Sequence, residues 1–271
     1  MDERPVAFLD SGIGGIPYAH FFHTRNKSEK IVYAADRANF PYGPRSKENV
    51  IELALSLVKR LVLKYDPRLL AIACNAISVS ALKAIRDEFQ GLPVVGTVPA
   101  IKPAVEHSRK RCIAVIGTQR AIEDPYIAEL AAEYGPDCVI LGESAPDLVE
   151  FVEHRWIDAS PEERFLAAKL WVDKFREKGA DSLVLACTHF LLLKEEFLGA
   201  AQNNFGIFDS LEGVTARVES ILYEGKKEPG RRGSAEFPAV NPLMIISGDG
   251  PAESHWEQLC RHFGFNLEIG L

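Results

Sequence analysis

Short apolar runs of three to five residues recur along this chain, and amphipathic stretches separate them. That alternation restricts the chain to parallel sheets with helical crossovers, an α/β fold. The runs fall at 6–9, 31–34, 69–73 and 93–97, then at 113–116, 138–141, 183–186, 206–208 and 243–246. The clearest helix begins at Ser46, a good N-cap, and places Val50, Ala54, Leu57, Val58, Leu61 and Val62 on one face. It stops before Pro67, which cannot continue a helix. Another starts near Pro161-Glu162-Glu163, with acidic residues in its first turn, and ends at Gly179.

The 271 residues suffice for two modest domains or one large one, and 47% hydrophobic with 25% charged residues is enough for a real core. A net charge of -7 argues against a nucleic-acid groove, which needs clustered Lys and Arg. Lys226-Lys227 and Arg231-Arg232 lie in the Gly/Pro-rich stretch 224–240, read as a solvated loop. Residues 242–271 hold one strand-helix-strand, too short to fold alone, and should pack back onto the first sheet. No apolar run is long enough to span a membrane. The charged start Met1-Asp2-Glu3-Arg4 carries no secretory signal, so a cytoplasmic location is expected.

Two of the apolar runs end alike. Leu69-Leu70-Ala71-Ile72-Ala73-Cys74-Asn75-Ala76 and Ser182-Leu183-Val184-Leu185-Ala186-Cys187-Thr188-His189 both finish in Ala-Cys, followed by small polar residues and helix-forming sequence. Their spacing, 187 − 74 = 113 residues, hints at two related halves. Ligands of open α/β sheets bind beyond the carboxyl ends of strands, so both thiols occupy ligand-facing positions. Two thiols flanking one small molecule could take a proton from one face and return it to the other. Free cysteine titrates near 8.5, and helix N-termini or cations lower it, which suits a thiolate base. Cys112, Cys138 and Cys260 fall in apolar patterns and read as buried, inert thiols. No CxxC pair is present, so neither a zinc site of common spacing nor a redox motif is indicated; the odd count of five fits reduced thiols.

Other strand ends and loops carry further candidates. Asp10-Ser11-Gly12-Ile13-Gly14-Gly15 is not a dinucleotide fingerprint. It reads either as a tight glycine turn or as an acid–base Asp10, with Ser11 and glycine N–H groups binding a carboxylate. In Asp36-Arg37-Ala38-Asn39-Phe40-Pro41-Tyr42-Gly43-Pro44-Arg45, two prolines make a rigid turn whose N–H groups at Tyr42 and Gly43 could cradle an anion. His189, two residues after Cys187, could tune or relay its proton, although a lone histidine is more often structural. Glu150 and Glu153 sit on a helix after Pro146, where surface solvation is the default for both.

Taken together, these segments resemble the aspartate/glutamate racemase superfamily, and most closely its glutamate-acting members. The matching pieces run in order through most of the chain: Phe8-Leu9-Asp10-Ser11-Gly12-Ile13-Gly14-Gly15, Asp36 with Pro41-Tyr42-Gly43, Ala73-Cys74-Asn75, Ile116-Gly117-Thr118, Leu148-Val149 with Glu153, and Cys187-Thr188-His189-Phe190. Asp209-Ser210 with Val214 and Ala216 resembles the final segment. The resemblance implies two pseudo-symmetric α/β domains with parallel sheets, residues 1–98 plus 210–271 and residues 99–209, with the active site in the cleft between them. It implies no pyridoxal phosphate, no metal and no other cofactor, and glutamate as the small-molecule partner. It makes Cys74 and Cys187 the two bases, with Asp10 near Cys74 and with Glu153 and His189 assisting Cys187. Ser11, Asn75, Ala76, Thr118 and Thr188 would surround the amino and carboxylate groups, while Pro41, Tyr42 and Gly43 would hold the side-chain carboxylate. Ala76 and Leu191 depart from the family's usual threonine and proline.

The expected activity is racemisation of L-glutamate to D-glutamate for peptidoglycan synthesis. Neighbouring readings are an enzyme acting on aspartate, a hydantoin or another small acid, and a non-catalytic binding protein that keeps the fold. A second copy of the chain, in a homodimer, is the macromolecular partner considered.

Overall fold

The computed structural model describes residues 2–202, 204–224 and 240–271. It divides into two compact units: Met1–Pro41, Lys47–Thr97 and Leu211–Leu271 form the first, and Tyr42–Ser46 with Val98–Ser210 form the second.

The first unit begins β1 (Val6–Asp10), α1 (Ile16–Arg25), β2 (Ile31–Ala35), α2 (Lys47–Tyr65), β3 (Leu69–Ile72), α3 (Asn75–Glu88) and β4 (Val94–Gly96). The second runs α4 (Ile101–His107), β5 (Cys112–Gly117), α5 (Gln119–Glu123), α6 (Tyr126–Tyr134), β6 (Val139–Ser144), α7 (Pro146–Arg155), α8 (Pro161–Glu177), β7 (Ser182–Ala186), α9 (Lys194–Ala201) and β8 (Gly206–Phe208). The chain then completes the first unit with α10 (Leu211–Leu222), β9 (Leu243–Ile246), α11 (Ser254–Phe263) and β10 (Asn266–Ile269).

Both sheets are parallel, as the alternation requires. The first has the order β10-β9-β2-β1-β3-β4 and the second β6-β5-β7-β8. Without its last two strands, the first sheet repeats the second strand for strand, so β1 corresponds to β5 and β3 to β7. In each, the order reverses around its first strand, which leaves a crevice at the carboxyl ends of β1 and β3, and of β5 and β7.

The central strands are continuous apolar runs because helices cover both faces of such sheets. Every residue of β1, β3 and β7 is buried. Each fully buried Leu or Ile there contributes about 1.5–3 kcal/mol. Helix α2 turns Val50, Ala54, Leu57, Val58 and Leu61 inward as the periodicity predicts, with Val62 only half-buried at the edge of the stripe. Helix α8 starts in a capping box: Ser160 Oγ accepts the Glu163 N–H at 3.2 Å, and the Glu163 carboxylate accepts the Ser160 N–H at 2.9 Å. In the second unit, α4 and α6 lay Ile101, Val105, Ile127 and Leu130 over Ile113, Val115 and Val184.

Residues 242–271 return to the first sheet as expected, with β9 pairing β2 and β10 closing the edge. The loop reading of 224–240, with Lys226-Lys227 and Arg231-Arg232, falls almost entirely outside the described residues. Among those described, no helix is long and apolar enough to cross a membrane.

Three details differ from the pattern read in the sequence. Cys112 and Cys138 are only partly buried, because β6 is an edge strand whose start is exposed, whereas Cys260 is buried as expected. Burial pushes the Cys260 thiol up to about 11. After Cys187 the chain first makes a 3₁₀ turn, Thr188–Leu193, before α9 begins.

Candidate active site

Each crevice holds one of the two thiols. Cys74 follows β3 in extended conformation (φ -146°, ψ 120°) and caps α3, so the thiol lies at the positive end of a 14-residue helix. Beside it, β1 ends in Asp10, which is fully buried. Ser11 Oγ donates to Asp10 Oδ1 at 3.1 Å and lies 3.8 Å from Cys74 Sγ, so hydroxyl, carboxylate and thiol form one chain. The Gly12 N–H also donates to Asp10 Oδ1, at 2.9 Å. The carboxylate this glycine N–H binds is therefore Asp10's own, an Asx turn that aims the side chain instead of a ligand cradle. Gly15 serves a steric need: a Cβ there would lie 2.9 Å from both the Ala73 Cβ and its carbonyl oxygen. Only glycine lets α1 start so close to the end of β3.

Asn75 and Ala76 open α3, 3% and 2% exposed. The Asn75 Nδ2 is a buried donor with no hydrogen-bond partner among the described residues. An unsatisfied buried amide costs about 1–3 kcal/mol, a penalty that a bound acceptor would remove.

The second crevice is built differently. Cys187 is again extended (φ -139°, ψ 131°) after its strand and 3% exposed. Its Sγ lies 3.7 Å from His189 Nδ1, and His189 Nε2 lies 2.7 Å from Glu153 Oε2. Burial alone would hold this imidazole neutral, but its bonds to Cys187 and Glu153 reverse that and raise its pKa well above the usual value. Thr188, 2% exposed, follows the thiol directly.

Glu153 is 3% exposed, contrary to the solvated position expected of it, whereas Glu150 is exposed. The reason lies in the phase of α7: Glu153 shares the inward face with Leu148, Val149 and Val152. A carboxylate in phase with an apolar stripe has to find a partner, and His189 supplies it. That phase is legible in the sequence and is the signal that marks Glu153.

A third group lies in the second unit. Thr118 follows β5 at the position corresponding to Ser11, and its Oγ1 caps α5 by accepting the Ala121 N–H at 3.3 Å. Tyr42, 1% exposed, and Gly43 pack here. A Cβ on Gly43 would sit 3.0 Å from Thr118 Cβ, and the Gly43 carbonyl accepts the Arg120 N–H at 3.1 Å. The Phe40–Pro41 peptide bond preceding this turn is cis. The structure thus joins Asp10, Ser11 and Cys74 in one group, Cys187, His189 and Glu153 in a second, and Gly43 with Thr118 in a third.

The profile of the family described as Asp/Glu/Hydantoin racemase matches residues 22–218. The chain belongs to this racemase family. A glutamate racemase of Treponema pallidum is 41% identical over 265 residues, which is 97% of this chain and 95% of that one. A glutamate racemase of Sphingopyxis alaskensis is 37% identical over 229 residues, 84% of this chain and 85% of that one. Among solved structures, Escherichia coli glutamate racemase in complex with L-glutamate and the activator UDP-MurNAc-ala superposes with a TM-score of 0.82 at 26% identity, covering 99% of this chain and 98% of the other.

A racemase removes a proton from a carbon and returns one to its opposite face, work that two acid–base groups can divide. In this racemase the crevices at β3 and β7 each offer a buried thiol with a carboxylate within two hydrogen-bonded steps: Cys74–Ser11–Asp10 and Cys187–His189–Glu153.

Proposed function

We propose that this racemase interconverts L- and D-glutamate, with Cys74 and Cys187 as the two bases and no cofactor. The observation that carries the reading is the equivalent placement of two buried thiols, one after β3 and one after β7, each with its own proton relay. The glutamate racemases that match nearly the whole chain support the choice of substrate. In one direction the Cys187 thiolate takes the α-proton and the Cys74 thiol gives its proton to the opposite face; in the other the roles exchange. His189, held cationic beside Glu153, stabilises the Cys187 thiolate, while Asp10 acts through Ser11 on Cys74. The Asn75 amide takes the α-carboxylate, where charge accumulates as the proton leaves. The turn at Tyr42 and Gly43, with Thr118, takes the side-chain carboxylate. D-Glutamate would serve cell-wall peptidoglycan, and the enzyme would work in the cytoplasm.

Deuterium wash-in tests the reading. Either enantiomer of glutamate, incubated with reduced protein in deuterated water, should yield product deuterated at the α-carbon, because each thiol exchanges with solvent between turnovers. A protein that incorporates no deuterium binds without catalysis. Faster incorporation into aspartate than glutamate would move the substrate assignment to the shorter acid.

A further inference from the structure

The strand-helix-strand at the end of the chain does more than widen the first sheet. Ser247, immediately after β9 and fully buried, meets the last residue of β2 and the three that follow it. Its N–H donates to the Ala35 carbonyl at 2.9 Å, which continues the strand ladder. Its hydroxyl donates to Asp36 Oδ1 at 2.5 Å and accepts the Ala38 N–H at 3.0 Å. Its carbonyl accepts Arg37 Nε at 3.2 Å. Arg37 reaches further along the same segment, donating to the Pro251 carbonyl at 3.0 Å and to Glu253 at 3.4 Å. Gly248 holds φ +92°, and a Cβ there would come within 3.2 Å of Ala38 Cβ.

A strand added only for area would need the backbone bond and no hydroxyl. The side-chain bonds go to the start of the segment that leads to Pro41-Tyr42-Gly43. Asp36 is fully buried, accepts both Asn39 Nδ2 contacts (3.2 and 3.1 Å), and donates its own N–H to the Asp10 carbonyl at 3.0 Å. The Asp10 bond continues the β1–β2 backbone ladder, so a shift of the Asp36 side chain would pass five residues down the chain to Pro41.

We propose that Ser247, assisted by Arg37, is a positioning residue that sets where the Pro41-Tyr42-Gly43 turn stands. This rests on the reading of that turn as the cradle of the substrate's side-chain carboxylate. The clamp controls affinity and leaves the proton-transfer groups in place.

Two measurements separate the clamp from the substrate assignment. In the full-length protein, Ser247→Ala should speed amide exchange across residues 36–45 about tenfold while β1 and β3 keep their protection. The same variant should raise KM for glutamate about tenfold and change kcat by less than about threefold. Ser247→Thr, which keeps the hydroxyl, should restore both. Arg37→Met, on a partly exposed side chain that the fold can spare, should raise KM about threefold and carries the test if Ser247→Ala does not fold. Wild-type KM and wild-type exchange at 36–45 in these variants would overturn the proposal. So would a loss of kcat at constant KM, the result of a merely structural role. A wild-type protein that does not racemise glutamate would defeat the substrate assignment, and the exchange measurement would still decide the clamp.

Discussion

The crevices at β3 and at β7 each hold a buried thiol, and they surround it by different means. Strand order, the extended backbone at the cysteine and the near-complete burial of the thiol are common to both. At Cys74 an α-helix begins at once, its dipole faces the sulfur, and the acidic partner acts through a neutral hydroxyl. At Cys187 a 3₁₀ turn comes first, with a poorer alignment of peptide dipoles, and a histidine whose pKa is raised by its bonds to Cys187 and Glu153 stands beside the sulfur. Positive potential reaches one thiol from a helix end and the other from a side chain. Only the second supply depends on pH.

The largest expected effect removes a sulfur. Cys74→Ala and Cys187→Ala should each lower turnover by about 10⁴-fold or more, with unchanged circular dichroism, because water cannot replace either thiol as a base on its face. One variant retaining activity would show that the two crevices are unequal in necessity as well as in construction.

Next come the partners. Glu153→Gln and Asp10→Asn should each cost about 10²–10⁴-fold in kcat/KM. The loss must be equal in both directions, since enantiomers have equal free energies. The asymmetry should emerge in isotope effects: α-deuterated L- and D-glutamate should respond oppositely in the two variants, since each impairs transfer at a different face. The same skew in both would mean that the two relays serve one thiol.

The charged imidazole also makes a pH prediction. Because the His189 pKa is raised in the fold, its pairing stabilises in full below the ordinary histidine value, about 6.5, and fades as pH rises through the raised value. Glu153→Gln should therefore cost about 1.5–3 kcal/mol near pH 6, read as a lower Tm, with the gap to wild type narrowing in alkali. Asp10→Asn should leave no such alkaline trend.

The smallest effect concerns Ala76, in the first turn of α3, a position where the family usually carries a hydroxyl. Ala76→Thr should tighten glutamate binding by about 0.5–1.5 kcal/mol, seen as a lower KM. A weaker KM would show that its closely packed surroundings have no room for the added atoms.

The alternation of apolar runs and helices, with Ala-Cys at two strand ends, was enough to read parallel sheets and a thiol just beyond each of two strands. Those are local properties: burial on both faces writes itself into a strand as a continuous apolar run, and a strand end needs only a few residues to declare itself. Glu153 was read with Glu150 as a solvated surface residue, although its phase on α7 with Leu148, Val149 and Val152 was there to be read. What the tertiary structure alone decided is which distant residues meet. Ser11 lies 63 residues from Cys74, Glu153 lies 36 from His189, and Ser247 lies 211 from Asp36. No periodicity encodes those separations, since hydrogen bonds between strand ends are set by the order in which strands are laid side by side. The turn after β1 is the clearest instance: the sequence left a tight glycine turn and a carboxylate cradle both open, and only the fold shows the Gly12 N–H donating to Asp10 itself.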